Sequence, residues 1–347
     1  MMDIKELKVD GWERVVQFTD QEIGFQSIIS LHDTTLGPGC GGCRIRAYAS
    51  HEEALEDVTR LSKGMTYKNA LGGIPFGGGK AVIVADHRTD KSDEILKAFG
   101  RAVEFMGGSY YTAADSGVGT EDLAVVRTET KYVAGFNENG VGGNPSPFTA
   151  RGVWRGIQAA AKHKFGDMNL DGQTVSILGI GAVGMALAEL LNKDGAKLIV
   201  ADINEKAVAY AEETFGAKAM SIKDIVSVPV DIFSPCALGG VINEDTIDLL
   251  NAKVAAGAAN NQLLRPEMDT RLADCGILYA PDYVINAAGV ISIGLEILGE
   301  WTKDGLESRI DRIGDTLTTI FARASEEGRP TGEIADQMAL EVINAGR

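Results

Sequence analysis

The sequence predicts an α/β protein with two domains around a cleft, the second of them a doubly wound parallel sheet. Three observations indicate this fold class. The chain has 347 residues, more than one ordinary hydrophobic core accommodates. From residue 146 onward, short apolar strands alternate with amphipathic helices, a rhythm typical of a parallel sheet. A stretch rich in glycine, asparagine and proline, residues 137–147, separates the two halves.

These observations place an α/β domain at residues 1–145 and the doubly wound domain at 146–329. The C-terminal helix, at about 330–347, is a candidate to pack back on the first domain. The net charge of −16 argues against nucleic acid or an anionic membrane as a partner, because both bind basic surfaces. A charged N-terminus and the lack of a long apolar segment predict a cytoplasmic protein with neither a secretory signal nor a membrane span.

The first half contains several local signals for helices and strands. Ser50 is placed to cap a helix, and Glu53 completes a capping box with it. The other predicted elements of this half are a strand at 26–33, a strand at 80–86, a helix from Ser92, a short strand ending at Asp115 and a helix capped by Thr120.

The second half begins with a long predicted helix and then alternates. The predicted elements are a helix at 148–165, a strand at 174–181, a helix at 182–194, a strand at 196–203, a helix at 204–216, and strands at 230–237, 253–259 and 276–282 with helices between them. Helices are predicted at 301–328 and 335–346.

A glycine motif in the second half predicts a dinucleotide cofactor. The spacing G-x-G-x-x-G follows an apolar strand and opens a helix, which is the context that binds a pyrophosphate. An acid at the end of the next strand suits the ribose hydroxyls and repels a 2′-phosphate, so the prediction is NAD rather than NADP in a Rossmann domain. The predicted contacts of this motif are Gly179, Gly181, Ala182, Val183, Gly184, Asp202 and Ile203.

A second glycine-rich stretch, residues 72–84, leads to Lys80. It is not the phosphate loop of nucleotide triphosphatases, because Ile74 replaces the first required glycine and Ala81 the required Ser or Thr. We interpret the glycines at 77–79 as clearance that lets an amino acid and water reach Lys80. Together with Lys68 and Asp115, Lys80 could form an amino-acid site, although each of the three could also be a surface charge.

Several blocks resemble the Glu/Leu/Phe/Val group of amino-acid dehydrogenases, in the order of that family and over essentially the whole chain. They include "RLSKGMTYKNA", "GGGKAVI", "GNPSPFTARGV", "CALGGVIN", "GAANNQL" and "YAPDYVINAAG". The resemblance implies a homo-oligomer that oxidatively deaminates an L-amino acid with NAD, giving a 2-oxo acid and ammonium. It implies that Lys68 binds the substrate carboxylate, that Lys80 is the base and that Asp115 moves protons at the amine, in a cleft that closes over the substrate.

The resemblance also implies further contacts. Those to the cofactor are Thr149, Cys236, Ala237 and Asn261. Those to the substrate are Cys40, Gly41, Met65, Ala113, Val290 and Ile293. One departure lies directly after Asp115, where Ser116-Gly117-Val118 replaces the usual polar block and puts the local hydrogen bonding in question.

Two substrate classes stay open. Glutamate-specific members carry a lysine where this chain has Cys40, and burying an unpaired substrate carboxylate would be costly, which disfavours glutamate. Ala113, Val290 and Ile293 favour branched aliphatic side chains, whereas the small Cys40 favours aromatic ones.

Other functions have weaker support. A non-catalytic NAD-binding regulator would have no reason to keep Lys68, Lys80 and Asp115 together, and a 2-hydroxy-acid dehydrogenase would usually use a histidine. Cys40 and Cys43 have metal-ligand spacing, but no second pair accompanies them, so no metal site is predicted.

Overall fold

The computed structural model describes residues 2–136 and 144–347, so most of the predicted linker at 137–147 lies outside the described residues. The chain divides into two compact units. Unit 1 comprises Met1–Gly143, Val290–Thr302 and Ala339–Arg347, and unit 2 comprises Asn144–Gly289 and Lys303–Met338. This division differs from the predicted boundaries. The segment Val290–Thr302, predicted in the second domain, groups with unit 1, and the C-terminal helix joins unit 1 from Ala339 onward rather than from 330.

The described part of the chain up to Phe136 forms seven strands and three helices. The strands are β1 (Asp3–Leu7), β2 (Arg14–Asp20), β3 (Phe25–Leu31), β4 (Gly39–Cys40), β5 (Cys43–Arg46), β6 (Gly77–Val84) and β7 (Tyr110–Tyr111). The helices are α1 (His51–Leu71), α2 (Asp93–Phe105) and α3 (Thr120–Val126).

These strands form one sheet in the order β1-β2-β3-β6-β4-β7, with β5 also paired to β6. Three strand pairs are antiparallel, namely β1 with β2, β2 with β3, and β3 with β6. Strands β4 and β5 both run parallel to β6. Strand β6 is therefore central, and its residues are buried up to Ile83. The apolar side of α2, with Phe99 fully buried, covers one face of the sheet, and α1 packs against β6.

Local sequence signals place some boundaries correctly and others not. The Ser50 side chain accepts a hydrogen bond from Glu53 N, which confirms the predicted cap of α1. The predicted cap Thr120 was wrong, because Gly119 is the N-cap of α3 and its N–H is satisfied by Asp122 Oδ2. Strand β6 begins at Gly77 rather than at Lys80, so the three glycines belong to the strand. Strands β1, β2, β4 and β5 are not among the predicted elements.

The remaining elements follow from residue 146. The helices are α4 (Ser146–Phe165), α5 (Ala182–Lys193), α6 (Glu205–Phe215), α7 (Glu267–Asp274), α8 (Asp282–Ile285), α9 (Ala288–Leu298), α10 (Lys303–Glu327) and α11 (Thr331–Ala345). The strands are β8 (Thr174–Leu178), β9 (Lys197–Ala201), β10 (Lys218–Ala219), β11 (Val230–Pro235), β12 (Ala252–Ala255) and β13 (Leu278–Tyr279).

All six described strands of unit 2 are parallel, in the order β10-β9-β8-β11-β12-β13. Numbered within the unit this order is 3-2-1-4-5-6, the doubly wound arrangement that the sequence predicted. The strand order reverses between β8 and β11, where sheets of this kind bind their ligands. A helix had been predicted between β11 and β12, but the segment consists of turns. Among the described residues, no helix is both long and apolar enough to cross a membrane.

Candidate active site

Lys80 lies on the central strand of unit 1 and forms a close ion pair with Asp115. Its Nζ is 2.6 Å from Asp115 Oδ2, and the side chains of the two residues are 8% and 22% exposed. Strand β3 holds the backbone of β6 on one side through the register Ser30 to Lys80. A lysine this deeply buried needs a counter-charge, which Asp115 supplies. The structure thus brings together the two residues that the sequence predicted as base and proton carrier.

Asp115 is held by the strand beside it. Cys43 N donates to Ala113 O and Ile45 N donates to Ser116 O, both at 2.9 Å, so β5 fixes the backbone on either side of the carboxylate. The segment Ser116-Gly117-Val118, which differs from the family pattern, forms a tight turn in which Val118 N donates to Asp115 O at 2.9 Å. Gly117 takes the left-handed conformation, with φ of 84°, that this turn requires.

The charge of Asp115 is stabilised by two cations. Burial raises the pKa of this carboxyl, but the neighbouring charges of Lys80 and Arg44 outweigh burial, and the net direction is down. Arg44 Nε lies 3.6 Å from Asp115 Oδ2. Asp115 therefore carries its negative charge in the folded protein, next to the Lys80 ammonium.

Arg44 is a site residue that is not among those predicted from the sequence. It lies on β5 and donates from one terminal nitrogen to Asp57 Oδ2 at 2.9 Å. Asp57, on α1, also accepts hydrogen bonds from Tyr48 and Arg60. The available signal was a strand of sequence "CRIR", in which a half-buried arginine stands between the buried Cys43 and Ile45. A charged side chain between two buried neighbours indicates an ionic partner, but it does not identify that partner.

The glycines before Lys80 serve packing rather than clearance. A Cβ on Gly78 would lie 1.9 Å from Thr66 Oγ1 and 2.3 Å from Ser62 O of α1. A Cβ on Gly79 would lie 2.7 Å from the Tyr110 ring. The space beside these residues is filled by protein, so our interpretation of residues 77–79 as an opening for substrate was wrong. The absence of side chains lets α1 and Tyr110 approach β6 closely.

The same close approach brings the predicted substrate residues of β4 and α1 together. Asn69 Nδ2 donates to Gly77 O at 2.7 Å and to Cys40 O at 3.2 Å, which fixes the end of α1 against both strands. A Cβ on Gly41 would lie 2.0 Å from the carbonyl of residue 79 and 3.1 Å from Met65 Cγ. Cys40, Gly41 and Met65 thus lie beside the strand that carries Lys80.

The other predicted substrate residues have varied surroundings. Lys68 is half-buried in the last turn of α1, one residue before Asn69. Ala113 is fully buried next to β5. Val290 and Ile293 are half-buried on α9.

The glycine motif of unit 2 has the geometry expected of a cofactor loop. Gly179 has φ of 104°, and a Cβ on Gly184 would lie 2.0 Å from Gly179 O, so α5 packs tightly on the turn after β8. A Cβ on Gly181, the N-cap of α5, would meet nothing within 4 Å. Two glycines are therefore required by packing, whereas the third leaves open space at a helix N-terminus. This arrangement fits a pyrophosphate group.

Asp202 is tied to the glycine loop. Its Oδ2 accepts a hydrogen bond from Ile180 N at 2.6 Å, and its Oδ1 accepts one from Asn204 N at 2.8 Å. The carboxylate is half-buried, and the next side chain, Ile203, is 89% exposed. Ala182 and Val183 form the first turn of α5.

The remaining predicted cofactor residues lie on other segments of unit 2. Cys236 follows β11, and burial raises the pKa of its thiol. Ala237 packs against Gly179, since a Cβ on Gly179 would lie 2.7 Å from Ala237 N. Asn261 has φ of 52°, a left-handed conformation that non-glycine residues seldom adopt, and Thr149 lies in the first turn of α4. Among residues 2–136 and 144–347, no group of three or more potential ligands could hold a metal ion.

Comparisons with known proteins match both units. A family model described as Glu/Leu/Phe/Val dehydrogenase, dimerisation domain, matches residues 12–132, and a model described as Glutamate/Leucine/Phenylalanine/Valine dehydrogenase matches residues 199–344. A leucine dehydrogenase of Geobacillus stearothermophilus is 48% identical over 344 residues, 99% of this chain and 94% of the relative. A valine dehydrogenase of Streptomyces virginiae is 43% identical, covering 97% and 95%. The crystal structure of L-tryptophan dehydrogenase from Nostoc punctiforme is similar at a TM-score of 0.85 and 41% identity, covering 97% of each chain.

Proposed function

The chain belongs to the Glu/Leu/Phe/Val dehydrogenase family, and we propose that it catalyses the NAD-dependent, reversible oxidative deamination of branched-chain L-amino acids. The products are the 2-oxo acid and ammonium. The observation that supports this most directly is the ion pair of the buried Lys80 with the half-buried Asp115, whose Nζ and Oδ2 are 2.6 Å apart. A base and a proton carrier in contact suit a reaction that must deprotonate both an amine and a water molecule.

The proposed roles follow from charge and position. Lys68 binds the substrate carboxylate. Asp115 accepts a proton from the substrate ammonium, which frees the nitrogen lone pair so that the α-hydride can leave. When bound, NAD would supply the acceptor for that hydride. Lys80 in its neutral form then takes a proton from the water that attacks the imine carbon, and Asp115 returns its proton to the nitrogen. As the C–N bond breaks, the new hydroxyl group becomes the carbonyl and its proton leaves with the ammonia as ammonium. Lys80 afterwards releases its proton to solvent.

Residues of unit 2 would hold the cofactor. The open space at Gly181 and the N-terminus of α5 fit the pyrophosphate. Asp202 is an anion fixed by two backbone N–H groups at the end of β9, where it would accept from ribose hydroxyls and repel a 2′-phosphate. We therefore propose NAD as the cofactor. The measurement is kcat/KM with NAD and with NADP under the same conditions, and equal or better use of NADP would contradict this assignment.

The substrate class is proposed from the relatives and from Cys40. Two relatives named for leucine and valine are 48% and 43% identical to this chain. Cys40 is buried, and burial raises the pKa of its thiol to about 12, so it offers no charge for an acidic side chain. The similarity to an L-tryptophan dehydrogenase supports aromatic amino acids as the second candidate.

The cysteines of the described residues are free thiols, consistent with a cytoplasmic enzyme. We also propose that the protein is a homo-oligomer.

A substrate panel tests the proposal. Leucine, isoleucine, valine, phenylalanine, tryptophan and glutamate are each supplied with NAD, and kcat/KM is measured from the absorbance of NADH. We expect the three branched-chain amino acids to be preferred by about 10- to 200-fold over the aromatic ones, the range that a pocket differing by a methylene or two provides. A preference for an aromatic substrate would select the second candidate. If no amino acid gives a signal while NADH still binds, the protein is a non-catalytic NAD-binding regulator.

A further inference from the structure

We propose that Arg44 is a positioning residue that keeps Asp115 ionised and in place whenever Lys80 gives up its proton. This inference rests on the proposed function, in which Lys80 acts as a neutral base. When Lys80 loses its charge, the half-buried Asp115 carboxylate loses its closest cation. Without a substitute it would have to reclaim the proton from Lys80, because an isolated buried anion is unfavourable.

Arg44 is built to be that substitute. A guanidinium is effectively always charged, whereas a buried lysine amine can lose its proton. Both cations lie against the same oxygen, since Asp115 Oδ2 is 2.6 Å from Lys80 Nζ and 3.6 Å from Arg44 Nε. Arg44 Nε is buried, makes no hydrogen bond and lies within ion-pair distance of Asp115 Oδ2, so its charge stabilises the carboxylate without movement when Lys80 becomes neutral.

Asp57 holds Arg44 from the other side. Arg44 donates to Asp57 Oδ2 at 2.9 Å, and Tyr48 and Arg60 donate to the same carboxylate at 2.8 and 3.0 Å. Burial raises the pKa of Asp57, but these hydrogen bonds and the charge of Arg44 lower it on balance. This anchor keeps Arg44 from forming a full ion pair with Asp115, which would leave Lys80 without its partner. The charges alternate in sign from Arg60 through Asp57, Arg44 and Asp115 to Lys80.

The other ionisable groups around the pair divide into neutral and charged ones. Burial raises the pKa of Cys40, Cys43 and Tyr110, on β4, β5 and β7, so these groups are neutral near pH 7. The charged groups on α1, which packs against β6, are Glu52, Glu53, Glu56, Asp57, Arg60, Lys63 and Lys68. Of the cations, Arg44 is the one, besides Lys80, that the described contacts place against the Asp115 carboxylate.

The test compares Arg44→Gln, which removes the charge and keeps a donor for Asp57, with Arg44→Lys, which keeps the charge. In Arg44→Gln, loss of a positive charge favours the protonated form of Lys80. The acid limb of the kcat/KM profile is then expected to move to higher pH by about one unit, equivalent to a tenfold loss of kcat/KM at pH values below that limb. Arg44→Lys should restore the limb to near its wild-type position. Arg46→Gln, on the exposed part of the same strand, is the matched control and should leave it unchanged.

A second readout does not require turnover. Acetylation of Lys80 by acetic anhydride, followed by mass spectrometry of the peptide, reports the fraction of neutral amine at each pH. The labelling profile of Arg44→Gln should move in the same alkaline direction as its kinetic profile. If the wild type is inactive with every amino acid, the proposed function fails, whereas a labelling shift would still support the charge role of Arg44. A lower kcat in Arg44→Gln with neither profile shifted would overturn the inference.

Asp57→Asn provides the test if Arg44→Gln does not fold. It removes the anchor anion and leaves Arg44 free to move onto Asp115, so both profiles are expected to move to lower pH. An alkaline shift, or none, in a folded Asp57→Asn protein would also overturn the inference.

Discussion

Replacing Gly78 with alanine is expected to destabilise unit 1, because the added methyl group has no space. Its Cβ would lie 1.9 Å from Thr66 Oγ1, 2.3 Å from Ser62 O and 2.6 Å from Thr66 N. Two of these three atoms belong to the backbone of α1, so a side-chain rotation cannot relieve the overlap. Either the helix moves away from β6 or the strand bends.

The expected magnitude follows from the size of the overlap. Favourable contacts between heavy atoms are at about 3.5–4.0 Å, so the helix would have to move by more than about 1 Å. Overpacking of this kind costs about 1–3 kcal/mol, and a clash with backbone atoms belongs at the upper end of that range. A loss of about 3 kcal/mol corresponds to a fall in Tm of about 6–12 °C for a unit of this size. Because α1 carries Lys68 and β6 carries Lys80, kcat/KM should fall as well.

The assay is thermal unfolding followed by circular dichroism, at one protein concentration and one scan rate. Gly64→Ala is the matched control, because Gly64 lies on the same helix and a Cβ there meets nothing within 4 Å. That change should raise stability by up to about 1 kcal/mol, since alanine favours a helix over glycine. If Gly78→Ala melted at the wild-type temperature, the packing argument would be refuted and clearance around Lys80 would again be the better interpretation.

Three further predictions concern other parts of the molecule. Lys80→Ala should lower kcat by about 100- to 10,000-fold, the usual contribution of a general base, while NADH binding measured by fluorescence is retained; normal turnover would refute its assigned role. Gly181→Ala should raise the KM for NAD with little change in Tm, because its Cβ enters open space, whereas Gly184→Ala should lower Tm because its Cβ would lie 2.0 Å from a carbonyl oxygen. Burial raises the pKa of Asp269, which accepts a hydrogen bond from Gly332 N, to about 6. The folded protein therefore binds more protons than the unfolded chain between about pH 4 and 6. As pH falls from 7 to 4, the free energy of unfolding of the wild type should rise, relative to that of Asp269→Asn, by up to about 3 kcal/mol. Urea unfolding at several pH values measures this difference, and a pH-independent difference would contradict it.

Much of unit 2 could be predicted from the sequence because its signals are local. Most of the strands are short apolar runs, most of the helices repeat at 3.6 residues, and the glycine spacing marks the turn between β8 and α5. Strands β1 and β2 of unit 1 were missed because they are exposed or only partly buried and carry many polar residues. Their stability comes from the antiparallel neighbours they pair with, which a local pattern does not identify.

Part of the candidate site was predicted in the same way. Lys80 and Asp115 stood out as charges next to apolar strands, and the structure brings them into contact. Arg44 was missed because its importance depends on Asp57 and Asp115, which come from a helix and from a turn that is distant from β5 along the chain. The glycines at 77–79 were misinterpreted because a sequence does not reveal which atoms occupy the space where a side chain would be.

The sequence by itself determined the fold class, the glycine loop between β8 and α5 and the identity of the principal charged groups, since these depend on residue type and on spacing within short stretches of the chain. The tertiary structure decided which charges meet, and whether a glycine gives room to a ligand or to the protein itself. Ion pairs and close packing act over a few ångströms between atoms that are far apart along the chain. Lys80, Asp115 and Arg44 come into contact where β5, β6 and the segment after β7 lie side by side.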